Sequence, residues 1–236
     1  MEEIKYFFRT TNDGLSFINF SGLHLFFIIL ILVAFILFAK KIKNIYKWKK
    51  IIGTFFLFYN VIFYSWYFIT GYTGMKESLP LYFCRISIIL YTINFLFDKK
   101  FFYKELLYIG FFGPISAFFY PTLDMFKFPH FTYFTFFIGH LFLLFATILV
   151  LKENSKIISI KNCLRAMIFA LVVNIISYFV NIKYDGNYNC INQSPLFPQL
   201  FANYPSYVYS ITASILILII IFIAHLILKI VKRFLI

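Results

Sequence analysis

The chain has 236 residues, of which 62% are hydrophobic and 13% charged, with a mean hydropathy of +0.85 and a net charge of +13. A soluble domain carries about 25% charged residues, so this composition excludes a soluble globular protein and indicates a helical membrane protein. In a soluble protein the basic excess would suggest a nucleic-acid partner, but here the lysines fall in short loops between apolar runs, where they orient helices and meet anionic lipid headgroups.

The opening MEEIKYFFRTTND lacks the basic region and cleavage site of a signal peptide, so the first apolar run is expected to be retained. A bilayer is crossed by about 20 apolar residues. Seven such runs follow in order, over 21–39, 51–70, 79–97, 102–120, 130–151, 162–182 and 206–230. The fourth is interrupted by Gly110, Gly113 and Pro114, which membrane helices tolerate where neighbours satisfy the freed backbone groups. The predicted fold class is therefore all-α, a polytopic bundle of seven transmembrane helices in one domain covering 1–236.

Basic residues alternate between the connections. KKIKNIYKWKK holds six lysines, and DKKFFYK, LKENSKIISIK and KIVKR hold three basic residues each, against one or two in the intervening segments. The positive-inside rule then predicts an outer N-terminus and a cytoplasmic C-terminus, as an odd number of spans requires. The longest loop, 183–205, is expected outside. The chain has four arginines against 18 lysines, which hints at an AT-rich genome, and the expected location is the bacterial cell membrane.

Polar residues within spans tend to face the bundle or a cavity. The sixth run carries Asn174, Ser177, Tyr178 and Asn181 on one helical stripe in its outer half. The third carries Cys84, Ser87 and Tyr91 on one face, and the second Asn60, Tyr64 and Tyr67. His24 lies a turn into the first run and His140 about halfway along the fifth. Interhelical hydrogen bonding alone would account for any one of these residues. Their common depth predicts a polar cavity opening toward the outer leaflet.

Cys84 admits three readings: a small packing residue, a disulfide partner of Cys190 in the outer loop, or a nucleophile. A nucleophilic thiol needs a nearby cation or helix N-terminus and a base. Arg85 is adjacent, and His24 and His140 are the histidines placed near that depth. Three cysteines make no disulfide framework, and no Cys-x-x-Cys, His-Glu-x-x-His or glycine-rich phosphate loop occurs. No metal or cofactor is expected.

Several segments together resemble one family. LPLYFC at 79–84 resembles the LPL-x-x-C signature of the YwaF / transmembrane protein 164 family. In the family's order follow FSGLH (Phe20–His24), FPHFTYFTFFIGH (Phe128–His140), GNYNCINQSP (Gly186–Pro195) and YPSYVYS (Tyr204–Ser210). Tyr82 stands where bacterial members often have histidine, Arg85 where a small polar residue is usual, and Asn189 and Cys190 where apolar residues are common. These departures bear on the substrate more than on the chemistry. The resemblance implies lipid modification: the eukaryotic relative is described as a cysteine-dependent acyltransferase for ether phospholipids, and the family is akin to the androgen-induced-protein hydrolases.

The expected function is acyl transfer or ester hydrolysis at the outer leaflet. Cys84 would form a thioester with a membrane phospholipid or other acyl lipid, and His140 would act as base and acid. His24 would orient that histidine or help hold the oxyanion. Asn174, Asn181 or Asn189 would donate to the oxyanion, Tyr91 and Tyr178 line the polar region, and Arg85 would pair with a lipid phosphate or serve as an interfacial anchor. His140 is roughly five residues deeper than Cys84, about 7–8 Å along a helix, so depth favours His24 as the base and the family analogy favours His140. The rival reading is a small-solute transporter or substrate-binding membrane subunit with an outward-facing cavity, although no inverted repeat is evident; a structural or sensory membrane protein without catalysis is the third.

Overall fold

The computed structural model describes residues 2–14, 17–195, 198–201 and 203–235. Among them the regular structure is entirely helical. The helices are α1 (Glu2–Phe7), α2 (Gly22–Lys41), α3 (Ile45–Thr70), α4 (Phe83–Leu96), α5 (Tyr103–Phe119), α6 (Phe131–Glu153), α7 (Ile160–Tyr184) and α8 (Ser206–Leu235), with four short 3-10 turns between them.

Five of these, α2, α3, α6, α7 and α8, are long and apolar enough to cross a membrane. The other two predicted runs form shorter helices, α4 with 14 residues and α5 with 17. At 1.5 Å per residue they extend about 21 and 25 Å, less than the roughly 30 Å hydrocarbon core. Hydropathy marks where lipid contact begins, not where a helix begins. Thus α3 starts at Ile45, six residues before its apolar run, because the Asn44 side chain accepts the Lys47 N–H and caps it.

The centre of the bundle is α6. Its apolar window is 67% buried, against 22–33% for the other four long helices, and it packs against α2, α3, α4 and α5. Two glycines allow this closeness. A Cβ on Gly110 of α5 would meet the Thr147 hydroxyl at 2.6 Å and the Tyr91 ring at 3.2 Å. One on Gly139 of α6 would meet the Tyr59 hydroxyl at 2.9 Å. Small residues at helix crossings let backbones approach where lipid supplies no hydrophobic drive. Tyr91, fully buried, uses the space to bond the Leu106 carbonyl (3.2 Å) and the Thr147 hydroxyl (3.4 Å), joining α4, α5 and α6.

The two ends of the bundle differ in chemistry. At the lysine-rich end, buried Lys49 lies 3.4 Å from both Asp98 and Glu153, Lys100 lies 3.2 Å from Glu153, and Arg165 bonds Glu105 at 2.8 Å. At the other end, Arg9 pairs with Asp13 and donates to the Lys127 carbonyl (2.8 Å), while His130 caps α6 and bonds the Arg9 carbonyl (2.9 Å). The chain before α2 is thereby tied to the α5–α6 connection.

Replacing Gly110 by alanine forces the Thr147 hydroxyl aside. We expect Gly110→Ala to destabilise the protein by about 1–3 kcal/mol, read as a lowered Tm in detergent; an unchanged Tm would mean that α5 has room to move away from α6.

Candidate functional site

Cys84 is the second residue of α4. Its helix does not start at Pro80, as a proline-initiated span would. The chain over 79–82 is irregular, and Tyr82, the residue before the helix, makes no side-chain cap. The cap comes from a distant loop: the Asn189 amide oxygen accepts the Phe83 N–H at 2.9 Å. The amide nitrogen of Asn189 donates to the Leu81 carbonyl (3.1 Å), the Ser177 hydroxyl (3.2 Å) and Asn174 Oδ1 (3.4 Å). Asn189 has φ 54°, a left-handed conformation that asparagine adopts more readily than most residues. One side chain therefore fixes the start of α4 against α7.

Cys84 is half-buried, and its own N–H and that of Arg85 are among the first of α4. Those N–H groups belong to the unpaired first turn of a helix, where the dipole favours negative charge. Cys84 and Cys190 are both free thiols, so the disulfide reading is not realised. Burial, with smaller contributions from Glu77 and Cys84, pushes the Cys190 thiol up to about 11, which keeps it protonated.

Arg85 is half-buried, with its guanidinium 4.8 Å from the ring centres of Phe63 and Tyr82 and 5.3 Å from that of Tyr67. It donates to the carbonyls of Glu77 and Leu79 and to the Tyr67 hydroxyl. Among the described residues no carboxylate lies within 4.0 Å of it. Glu77 instead accepts from the Tyr82 hydroxyl (2.5 Å), and Asp124 from the Tyr72 hydroxyl (3.3 Å). The guanidinium thus keeps its charge without an ion pair, stabilised by ring faces.

The two histidines differ. His24 is fully buried with both ring nitrogens engaged: Nδ1 accepts the Phe20 N–H (2.8 Å), so Nε2 carries the proton and donates to the Phe118 carbonyl (2.7 Å). The Nδ1–H of His140 donates to the Phe136 carbonyl (2.7 Å), which assigns the lone pair to Nε2. Among the described residues nothing hydrogen-bonds to that nitrogen. The Phe118 ring stands 6.1 Å from His140, so Phe118 touches both histidines. No hydrogen bond joins Cys84 to either histidine. Tyr59 joins α3 to α6 beside His140, bonding the Thr135 carbonyl (3.1 Å) and lying against Gly139.

The polar stripe of α7 faces inward: Asn174, Ser177 and Asn181 are all buried. Their side chains serve the chain itself. Asn181 brackets the backbone of Tyr188, accepting its N–H (2.7 Å) and donating to its carbonyl (3.2 Å), and Asn174 donates to the Ser214 hydroxyl (3.1 Å). Asn174 and Tyr178 line a groove of about 390 Å³ between α7 and α8, otherwise walled by residues such as Ile175, Ile211 and Ile215. The hydroxyls of Ser87 and Tyr64 are buried with no partner among the described residues. Both residues lie on the polar stripes visible in the sequence, but the unpaired state of their hydroxyls depends on the surrounding helices.

Asp124 lies in the α5–α6 connection, where burial and, next, Glu77 hold its carboxyl up at about 6, against the opposing Tyr72 hydrogen bond and Arg85 charge. The unfolded carboxyl ionises near 4, so between pH 4 and 6 the unfolded chain has released a proton that the folded protein retains. Stability from this group is full below pH 4 and is lost as pH rises through 6. Asp124→Asn should leave Tm unchanged at pH 4 and raise it by a few degrees at pH 8; equal Tm at both pH values would show that Asp124 ionises freely.

No curated protein and no solved structure matches the chain. The family model described as the TMEM164 family matches residues 14–225, nearly the full length, and covers every part of the site built above. The chain is a membrane protein that belongs to the TMEM164 family.

Proposed function

We propose that the protein transfers or hydrolyses a lipid acyl group through a thioester on Cys84, working at the outer leaflet of a bacterial cell membrane. In this reading the two short helices complete a seven-span bundle with the N-terminus outside and the C-terminus in the cytoplasm. The lysine-rich end, where Lys49, Lys100 and Arg165 gather, then faces the cytoplasm, in keeping with the positive-inside rule.

The observation that carries the proposal is the neighbourhood of Cys84: a thiol on the first turn of α4, beside a guanidinium that has no carboxylate partner. A guanidinium held by two carbonyls and a hydroxyl but by no carboxylate suits a lipid phosphate. With the phosphate there, the ester-linked chains run inward past Cys84, and the groove between α7 and α8 offers one of them an apolar path.

His140 is the base in this mechanism, because its Nε2 is available and both nitrogens of His24 are not. It takes the thiol proton as sulfur attacks the ester carbonyl, then gives that proton to the departing alcohol. A second alcohol or a water then attacks the thioester, giving transfer or hydrolysis respectively. Catalytic hydrogen bonds are often long before substrate binds, and the mechanism requires the substrate to bring Sγ and Nε2 together. His24 acts as a positioning residue, holding Phe118 against His140.

Acyl release from a labelled phospholipid in vesicles tests this. Cys84→Ala should abolish turnover and His140→Gln should lower it by about 10²–10⁴-fold, while both variants keep the wild-type Tm within a few degrees. Unchanged turnover in Cys84→Ala would sink the cysteine mechanism.

A further inference from the structure

The buried serine and threonine hydroxyls on the helices are hydrogen-bonded, with one exception. Thr92 donates to the Ile88 carbonyl (2.7 Å), Thr147 to Leu143 (2.9 Å) and Ser210 to Ser206 (2.9 Å), each bonding one turn back. Thr132 bonds His130 (2.9 Å), and Ser177 accepts from Asn189 (3.2 Å). Such back-bonding is the ordinary resource of a hydroxyl in a helix without water. Ser87 alone departs: it is fully buried, and its Oγ has no partner among the described residues. It lies one turn beyond Cys84 on the same face of α4.

A second unpaired hydroxyl stands on the facing helix. The bonds Asn60–Thr92 (3.2 Å) and Tyr67–Arg85 (3.3 Å) set α3 antiparallel to α4, and Tyr64 lies on α3 between them. Its buried Oη also lacks a partner among the described residues, and Arg85, Cys84 and Tyr188 are near enough to influence it. A buried hydroxyl left unsatisfied is a cost to folding, and two occur on the helices that flank one half-buried thiol. The amides of Asn174, Asn181 and Asn189 are already taken by the chain.

We infer that Ser87 and Tyr64 are the donors that receive the reacting carbonyl oxygen of the substrate ester. The inference rests on the thioester mechanism above. As Cys84 Sγ bonds to the ester carbon, the carbonyl π pair moves onto oxygen, where the Ser87 and Tyr64 O–H groups donate to the oxyanion. The intermediate then collapses: the carbonyl re-forms, the bond from carbon to the alkoxy oxygen breaks, and the alkoxy oxygen takes the proton held on His140. Neither hydroxyl gains or loses a proton. A preorganised donor of this kind works because it stabilises charge that exists only in the transition state.

The test is the 4-nitrophenolate burst released by purified protein from a 4-nitrophenyl acyl ester in detergent micelles, with Tm measured alongside. Ser87→Ala and Tyr64→Phe should each slow the burst by about 10²–10³-fold, and Ser87→Thr should recover much of the Ser87→Ala loss. Because each removed hydroxyl has no structural partner, both variants should match or exceed the wild-type Tm. Bursts at the wild-type rate in both variants would overturn the inference, as would a lowered Tm that tracks the lost rate. A wild-type protein that gives no burst, or one unchanged in Cys84→Ala, would instead overturn the thioester mechanism beneath it.

Discussion

The arrangement depends on how one amide, that of Asn189, closes the amino end of α4. Its oxygen takes the Phe83 N–H, and its nitrogen reaches Leu81, Asn174 and Ser177. A helix start normally draws its cap from its own sequence; this one borrows it from a loop more than a hundred residues away. The borrowed cap sets where α4 begins, hence where Cys84 and Arg85 stand relative to α3 and α7. Tyr188 reinforces the same junction, since its hydroxyl donates to the Met75 carbonyl (2.7 Å) and accepts the Leu79 N–H (2.9 Å).

Hydrogen-bonded polar groups hold the scaffold together, and among the described residues buried unpaired atoms occur at Ser87 and Tyr64 near Cys84 and also at Asn19, Tyr103, Glu105 and His225. Deep in the bundle, Tyr91, Thr147, Asn60 and Thr92 bond one another or nearby carbonyls, as a low-dielectric interior demands. Around Cys84 the pattern changes. Among the described residues, Arg85 has no carboxylate and the hydroxyls of Ser87 and Tyr64 have no partner on the facing helices α3 and α4, while His140, with a vacant lone pair, lies about midway along α6. Each is a cost to folding, and each is a group that an acyl-transfer site uses.

Much of the scaffold was legible in the sequence, because long apolar runs mark the helices of a membrane protein. All seven apolar runs are helices, and five are long enough to span. The start of α4 was not legible: Pro80 reads as a helix opener, but the helix waits for the Asn189 cap at Phe83. Arg85 reads as a residue at headgroup level, but its pocket is built from Phe63 and Tyr67 of α3, whose facing follows only from helix packing. Depth along the chain makes His24 the nearer partner of Cys84. The bonds that occupy its ring come from Phe20 and from Phe118, 94 residues away, and no local pattern announces them.

The central claim is that Cys84 carries the acyl group. Its most direct measurement is intact-protein mass spectrometry after brief exposure to a phospholipid, followed by peptide mapping of any adduct. The account predicts an added mass equal to the acyl chain, located on Cys84, removed by neutral hydroxylamine and absent from Cys84→Ala. An adduct on another residue, or lipid turnover with Cys84 unmodified throughout, would contradict it.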